Sequence, residues 1–133
     1  MNMEDVNRYL QEIRKDEYFI DTDMLEVIPF KNKEKNTWVE IENPEFTSLC
    51  PRTGLPDHGT IFIRYLPDKF IVELKSLKYY FLQFRNVGIY YENLTKMMVS
   101  HLVQKLHPND MVIEARFTPR GGLTTKVIST YKS

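Results

Sequence analysis

Apolar residues recur along this chain at two different spacings, which separates predicted helices from predicted strands. In three segments they return every three or four positions, the spacing that places side chains on one face of a helix. These segments cover residues 6–13, 75–85 and 92–106, and His107-Pro108-Asn109 ends the last of them. The pattern therefore predicts one helix near the start and two consecutive helices later.

The remaining apolar segments are short and rich in β-branched and aromatic residues, as strands are. They predict strands over 24–30, 37–42, 60–66, 69–74, 111–118 and 123–131. The polar segment 31–36 predicts a hairpin or loop, segment 66–69 predicts a hairpin, and segment 119–122 predicts a turn between the last two strands. Residues 43–58 contain three prolines and a glycine, and we interpret them as a structured loop.

The order of these elements predicts an α+β fold, an antiparallel sheet with two helices on one face. At 133 residues the chain is expected to form a single domain, 1–133, in which 1–42 supply a helix and strands and 43–122 carry the motifs below. Helices on one face leave the other face of the sheet open. The 17 aromatic residues favour its cover by a partner subunit.

Charge and cysteine content exclude several classes of function. The 18 basic and 18 acidic residues cancel, so no overall field recruits nucleic acid or an anionic membrane. A single cysteine excludes an internal disulfide and a cysteine-based zinc cage, and the three histidines lack metal-ligand spacing, so no metal is expected. The longest apolar stretch, 79–84, is too short to span a membrane, and the charged start resembles no secretory signal; we expect a cytoplasmic protein.

The single cysteine, Cys50, lies in a segment whose two prolines and glycine restrict the backbone. A lone cysteine is usually a small buried hydrophobe, but rigid loops often position reactive groups. Arg52 would favour the thiolate, and Asp57 at the end of the segment is a candidate general acid. Their spacing alone leaves open whether Cys50 and Asp57 converge.

Three further groups are candidates for ligand binding. Glu73, Lys75 and Lys78 span a predicted strand-to-helix junction, where free backbone N–H groups and two cations on one helix face would suit a phosphate; the alternative is a solvated basic stripe. Tyr91 and Glu92 begin the second long helix and offer a ring and a carboxylate to an aminopurine edge, although a carboxylate there also satisfies the helix dipole. Arg120 precedes Gly121 in a turn that permits close approach to a ligand.

Taken together, these stretches resemble the single-module NADPH-dependent 7-cyano-7-deazaguanine reductases, the QueF family. The resemblance covers about residues 43–122 and rests on segments that follow the family's order and spacing: FTSLCPRTGLPD, VELKSLKY, FRN, YE and FTPRGG. It implies a tunnelling fold, in which small antiparallel sheets with two backing helices assemble into multi-subunit barrels. It also implies a homo-oligomer with active sites between subunits.

The implied reaction is the reduction of the nitrile of 7-cyano-7-deazaguanine to an aminomethyl group by two hydrides from NADPH, a step toward the queuosine modification of tRNA. By position, Cys50 would add to the nitrile carbon as a thioimide and Asp57 would donate protons. The base pocket would be lined by Val72, Glu73, Leu74, Tyr91 and Glu92. The cofactor would be bound by Leu74, Lys75, Lys78, Arg120 and Gly121.

One position departs from the family pattern. Many members carry histidine immediately before the base-binding glutamate, whereas this chain has Tyr91, a side chain that cannot relay protons near neutral pH as imidazole does. His58, next to Asp57, is a candidate substitute. Two alternative functions are a non-redox relative that amidates the same nitrile on tRNA and a non-catalytic purine-binding module.

Overall fold

The computed structural model describes residues 2–5 and 20–133. The predicted helix over 6–13 lies outside these residues. The strands are β1 (Val27–Pro29), β2 (Val39–Leu49), β3 (Pro56–Leu66), β4 (Phe70–Val72), β5 (Asp110–Arg120) and β6 (Leu123–Lys132). The helices are α1 (Leu74–Leu82), a 3-10 turn that continues it (Gln83–Asn86), and α2 (Tyr91–Leu106).

The main sheet is antiparallel with the strand order β2-β3-β5-β6. Alternate residues of β3 and β5 are buried, among them Ile61, Ile63 and Ile113, and the apolar sides of α1 and α2 pack against this face. The predicted α+β class with both helices on one face is confirmed. No helix in residues 2–5 and 20–133 combines the length and apolarity that a membrane crossing requires.

The predicted hairpin at 66–69 is wrong, and segment 31–36 is a loop, one of its two predicted alternatives. Neither segment joins its flanking strands; instead β1 pairs with β4 in a separate two-stranded sheet. The two polar segments pack on each other, because the buried Asn32 amide donates to the carbonyls of Thr37 and Pro67 at 3.1 and 2.8 Å. Turn composition marks where the chain reverses but does not reveal which strand it will meet.

The prediction of a loop over residues 43–58 is also largely wrong. β2 continues through Pro44 to Leu49, and β3 already begins at Pro56, so the irregular part is only residues 50–55. Proline is tolerated here because β2 is an edge strand of the sheet and Pro44 lies in a β-bulge. The prolines therefore mark a bend in a strand and not the absence of one.

Two bulges change which residues face the helices. In β2, Asn43 pairs with Ile61 but Phe46 pairs with Gly59, so β2 has one extra residue between them. In β5, Phe117 pairs with Thr125 but Arg120 pairs with Leu123, again with one extra residue on one strand. Side chains alternate along a strand, so each bulge shifts the alternation by one position. Beyond the bulges, Ser48 and Arg120 share the helix face with Asp57.

Candidate active site

Cys50 lies in a tight turn between β2 and β3. The Cys50 N–H donates to the Leu55 carbonyl at 2.9 Å, and the Gly54 N–H donates to the Cys50 carbonyl at 2.8 Å. Gly54 has φ 72°, a left-handed conformation that favours glycine. On the other side, Leu49 forms backbone hydrogen bonds with Val87 and Ile89. The position of the thiol is thus fixed from both sides.

The local environment lowers the pKa of the half-buried Cys50 thiol. Burial raises this pKa, but hydrogen bonds from the Thr53 side chain and from the backbone N–H groups of Thr53 and Arg52 together outweigh it; the Asp57 charge opposes them. Arg52 therefore acts through its backbone N–H, and not through the guanidinium that the sequence indicated. Because the thiolate is the nucleophilic form of cysteine, the turn favours a reactive Cys50.

Asp57 is the second residue of β3, and only 2% of its side chain is exposed. It forms an ion pair with Arg120, whose Nη2 also donates to the Pro56 carbonyl at 3.1 Å. The family resemblance groups Arg120 with Lys75 and Lys78. In this structure Arg120 instead compensates a buried carboxylate beside the cysteine.

Tyr91 completes this cluster from the first turn of α2. Its ring stacks on Phe117 with centroids 3.6 Å apart and an interplanar angle of 7°. The pKa of Tyr91 is raised to about 12, first by burial and then by the charge of Asp57 and hydrogen bonding to its carboxylate; Cys50 adds to the rise and Arg120 opposes it. These mutual effects define one group, the thiol cluster, formed by Cys50, Asp57, Tyr91 and Arg120.

The other two predicted residues at this end are exposed. Glu92 follows Tyr91 in the first turn of α2, and Gly121 follows Arg120 in the turn between β5 and β6. Both therefore lie beside the thiol cluster in the chain, with side-chain or backbone groups open to a ligand.

The remaining predicted residues form the helix junction, defined as Val72, Glu73, Leu74 and Lys75. Glu73 is the N-cap of α1: its carboxylate accepts from the N–H groups of Lys75 at 2.9 Å and Ser76 at 2.7 Å. These hydrogen bonds, that from Ser76 first, lower the pKa of Glu73. The expectation of free N–H groups at this helix end is therefore wrong, since Glu73 already binds two of them.

Within one chain, the helix junction is far from the thiol cluster. The Val72 N–H donates to the Tyr65 hydroxyl at 3.0 Å, so the junction contacts a residue at the C-terminal end of β3. Tyr65 is eight positions along β3 from Asp57, or about 26 Å at about 3.3 Å per residue. The chain thus carries two groups of predicted site residues at opposite ends of its sheet.

Side chains at and after the junction are available to a ligand. Lys75 and Lys78 are exposed, and 62% of Leu74 is exposed. Leu74 and Lys78 border a groove of about 440 Å³ between α1 and β2. Two exposed ammonium groups one helical turn apart fit the phosphates of a dinucleotide such as NADPH. The contacts would come from these side chains alone, because Glu73 already occupies the backbone N–H groups of Lys75 and Ser76.

His58 does not substitute for the missing histidine. It is exposed and lies one residue from Asp57 in β3, so its side chain leaves the opposite face of the sheet. Among residues 2–5 and 20–133, no three His, Cys, Asp or Glu side chains gather as metal ligands would.

Some contributors to the cluster escaped the sequence prediction. Thr53 hydrogen-bonds the thiol, and Gly59 gives room to Phe117, which supports Tyr91. Ser48 pairs directly with Asp57. The sequence held no signal for Gly59, which lies just before the predicted strand 60–66, and none for Ser48, whose direction depends on the bulge.

Comparisons with known proteins give a consistent family assignment. Residues 56–133 match the family described as QueF-like protein. A protein of Prosthecochloris aestuarii named NADPH-dependent 7-cyano-7-deazaguanine reductase is 50% identical over 111 residues, which cover 84% of this chain and 94% of that protein. A protein of the same name from Chlorobium phaeobacteroides is 51% identical over 111 residues, with the same coverage of both chains.

Among solved structures, the chain is similar to the archaeosine synthase QueF-Like in its apo form. The TM-score is 0.68 at 16% sequence identity, over 72% of this chain and 94% of that one. At this identity the likeness concerns the fold alone, and it agrees with the tunnelling fold that the sequence resemblance implies.

Proposed function

Because the chain belongs to the QueF family, we propose that it reduces the nitrile of 7-cyano-7-deazaguanine to an aminomethyl group with NADPH, in the pathway to queuosine. It is an NADPH-dependent oxidoreductase of the same kind as its half-identical relatives. The observation that carries the residue-level proposal is the turn that lowers the pKa of Cys50 beside a buried carboxylate.

We assign the role of nucleophile to Cys50. A nitrile accepts hydride poorly, whereas a thioimide can be protonated into a good acceptor, which is the usual gain of covalent catalysis. The Cys50 sulfur forms a bond to the nitrile carbon as the thiol loses its proton; the Asp57 carboxylate takes up that proton and passes it to the nitrile nitrogen. The carbon–sulfur bond breaks again after the first reduction, so that Cys50 is regenerated.

Asp57 is the proposed proton donor to the nitrile nitrogen. Its burial and its position beside the turn of Cys50 suit a group that acts on the same small substrate. Arg120 and the Tyr91 phenol hold the carboxyl group from two sides and keep water from it. Glu92 would accept hydrogen bonds from the amino and ring N–H groups of the guanine-like edge.

The cofactor supplies two hydrides, one from each of two NADPH molecules. Lys75 and Lys78 would contact its phosphates, and Leu74 would pack against the cofactor or the base. Glu73 keeps lone pairs beyond its two cap hydrogen bonds and would accept one further bond from the base. These roles are compatible with the exposure of Leu74, Lys75 and Lys78 and with the partial exposure of Glu73.

The complete site would be shared between two subunits. Asp57 of the thiol cluster and Tyr65, whose hydroxyl contacts the helix junction, are about 26 Å apart along β3, which is farther than a single deazaguanine can reach. A neighbouring copy that brings its junction to the first chain's thiol cluster would join the two groups. The proposed active form is therefore a homo-oligomer.

Exposed apolar residues and strand edges support this assembly. β2 and β6 each have one side without a strand partner among the described residues, and long exposed edges favour pairing with another chain. Large apolar side chains are exposed at both ends: Leu55, Tyr90 and Leu123 near the thiol cluster, and Leu74 and Tyr79 near the junction. A neighbouring subunit would cover both sets.

The proposal predicts a covalent adduct before any reduction. Incubation with 7-cyano-7-deazaguanine in the absence of NADPH should raise the intact protein mass by the mass of the base. Cys50→Ala should abolish this gain and all turnover, because no other cysteine is present. Asp57→Asn should bind the base but turn over at least about 100-fold more slowly, a common contribution of general acid catalysis.

An unchanged mass at saturating base would exclude Cys50 as the nucleophile. Loss of NADPH absorbance on addition of the base separates this proposal from a purine-binding module, which would bind without oxidising the cofactor. The cytoplasmic location expected from the sequence remains a prediction, which imaging of the tagged full chain would test.

A further inference from the structure

Ser48 is a buried polar residue that the mechanism above does not use. None of its surface is exposed, and its hydroxyl has no hydrogen-bond partner among the residues that the structure describes. Buried hydroxyl groups usually have partners, so an unpaired one indicates a role outside the resting fold.

The strand register places Ser48 against the proposed acid. Ser48 of β2 and Asp57 of β3 are directly paired, and both face the helices because of the bulge before Phe46. Directly opposite residues have Cβ atoms about 4.5–5.5 Å apart. Rotation about the Cα–Cβ bond of Ser48 is therefore enough to bring its hydroxyl within hydrogen-bonding distance of the carboxyl group.

Asp57 can accept a further hydrogen bond. Its buried Oδ1 atom is ion-paired with the Arg120 guanidinium, and a carboxylate oxygen keeps a second lone pair beside such a contact. An unpaired hydroxyl donor thus lies opposite a buried carboxylate that has acceptor capacity left.

We propose that Ser48 is a positioning residue for Asp57. Its hydroxyl rotates to donate to the second lone pair of Oδ1 during turnover, each time Asp57 has passed a proton to the substrate nitrogen and returns to the carboxylate that is paired with Arg120. The bond fixes the carboxyl plane, so that the other oxygen points toward the substrate. This inference rests on the proposed role of Asp57.

The test compares Ser48→Ala with the unmodified chain in thermal stability, adduct mass, kcat, KM and the pH profile of kcat. Removal of an unpaired hydroxyl should leave Tm unchanged or raise it. We expect kcat to fall about tenfold, the value of one hydrogen bond to a charged group, with an unchanged KM for the base and a shifted pH profile. Ser48→Cys keeps the volume with a weaker donor and should give an intermediate kcat.

Ser129→Ala is the matched control. The Ser129 hydroxyl bonds to the Thr95 hydroxyl at 2.8 Å, so its loss should lower Tm while kcat and the pH profile stay unchanged. If Ser48→Ala and Ser48→Cys both keep the kcat and pH profile of the unmodified chain, Ser48 has no positioning role. If the unmodified chain forms no adduct with the base, the proposed function itself is wrong, and this outcome is independent of the behaviour of the Ser48 variants.

Discussion

At the scale of single residues, Tyr91 sets a phenol against Asp57 where many family members carry an imidazole. With its pKa raised to about 12, the phenol stays protonated throughout the neutral range and donates a hydrogen bond to Asp57 without releasing its proton. Its stacking on Phe117 fixes the ring plane. Tyr91 therefore holds Asp57 without titrating beside it.

This difference predicts the pH dependence of variants at position 91. Tyr91→His should add an ionisation near pH 6.5, the ordinary range of histidine, to the profile of kcat/KM, because the group beside Asp57 now titrates there. Tyr91→Phe should keep the stack but lower kcat about tenfold through the lost hydrogen bond to a charged group. Steady-state rates from about pH 5 to 9 measure both effects.

Superimposable profiles for the unmodified chain and Tyr91→His would show that position 91 does not contact the reacting acid. Tyr91→Phe is the matched control for the ring itself, since it should reproduce the unmodified profile in shape and differ only in height.

At the scale of secondary structure, the close approach of β3 and β5 supports the thiol cluster. A Cβ atom on Gly59 would lie 2.5 Å from the Arg116 carbonyl oxygen and 2.9 Å from Cδ1 of Phe117. Only glycine leaves room for the Phe117 ring over β3, and the Tyr91 ring stacks on the Phe117 ring.

Gly59→Ala should therefore affect stability and activity together. We expect a loss of about 1–3 kcal/mol in the free energy of unfolding, the usual cost of overpacking, because backbone as well as a ring must move. Displacement of Phe117 should also lower kcat, while the Cys50 adduct still forms. Denaturant unfolding and steady-state kinetics measure the two effects.

The control is Thr60→Ala, which changes the neighbouring residue on the opposite face of β3 and should leave kcat unchanged. A Gly59→Ala protein of unchanged stability would contradict the close contact.

The same elements explain how far the sequence could be interpreted. Periodicity located both helices and the β5–β6 hairpin, because these depend on neighbours in the chain. It failed for β1 with β4, whose partners are about forty residues apart, and for the end of β2, where proline indicated a loop. Cys50 and Asp57 were identifiable by residue type. The direction of Ser48 and the pairing of Arg120 with Asp57 depend on bulges, which residue type does not reveal.

At the scale of the whole molecule, the proposed sharing of the site between subunits predicts complementation between inactive variants. Cys50→Ala keeps an intact helix junction, and Lys75→Glu/Lys78→Glu keeps an intact thiol cluster; each alone should be inactive. In an equal mixture reassembled from separated subunits, about a quarter of the interfaces would join two intact halves. Activity should return to about that fraction of the unmodified value.

The control is a mixture of Cys50→Ala with Asp57→Asn, two changes in the same cluster, which should stay inactive. Light scattering checks that each mixture has reassembled. A first mixture that is reassembled yet inactive would indicate a site built within one chain.

The two bulges make the chain unequally tolerant of insertions and deletions. Removal of one residue from the β2 bulge would restore the strict alternation of side chains along β2. The Ser48 side chain would then leave the face that it shares with Asp57, and a neighbouring residue would take its place. The same loss in β5 would turn Arg120 away from its carboxylate. In both cases the upstream part of the strand would keep its pairing, so the sheet could still form. Length at these two points is therefore constrained by chemistry more than by folding, whereas the segment at 31–36 is free of that constraint.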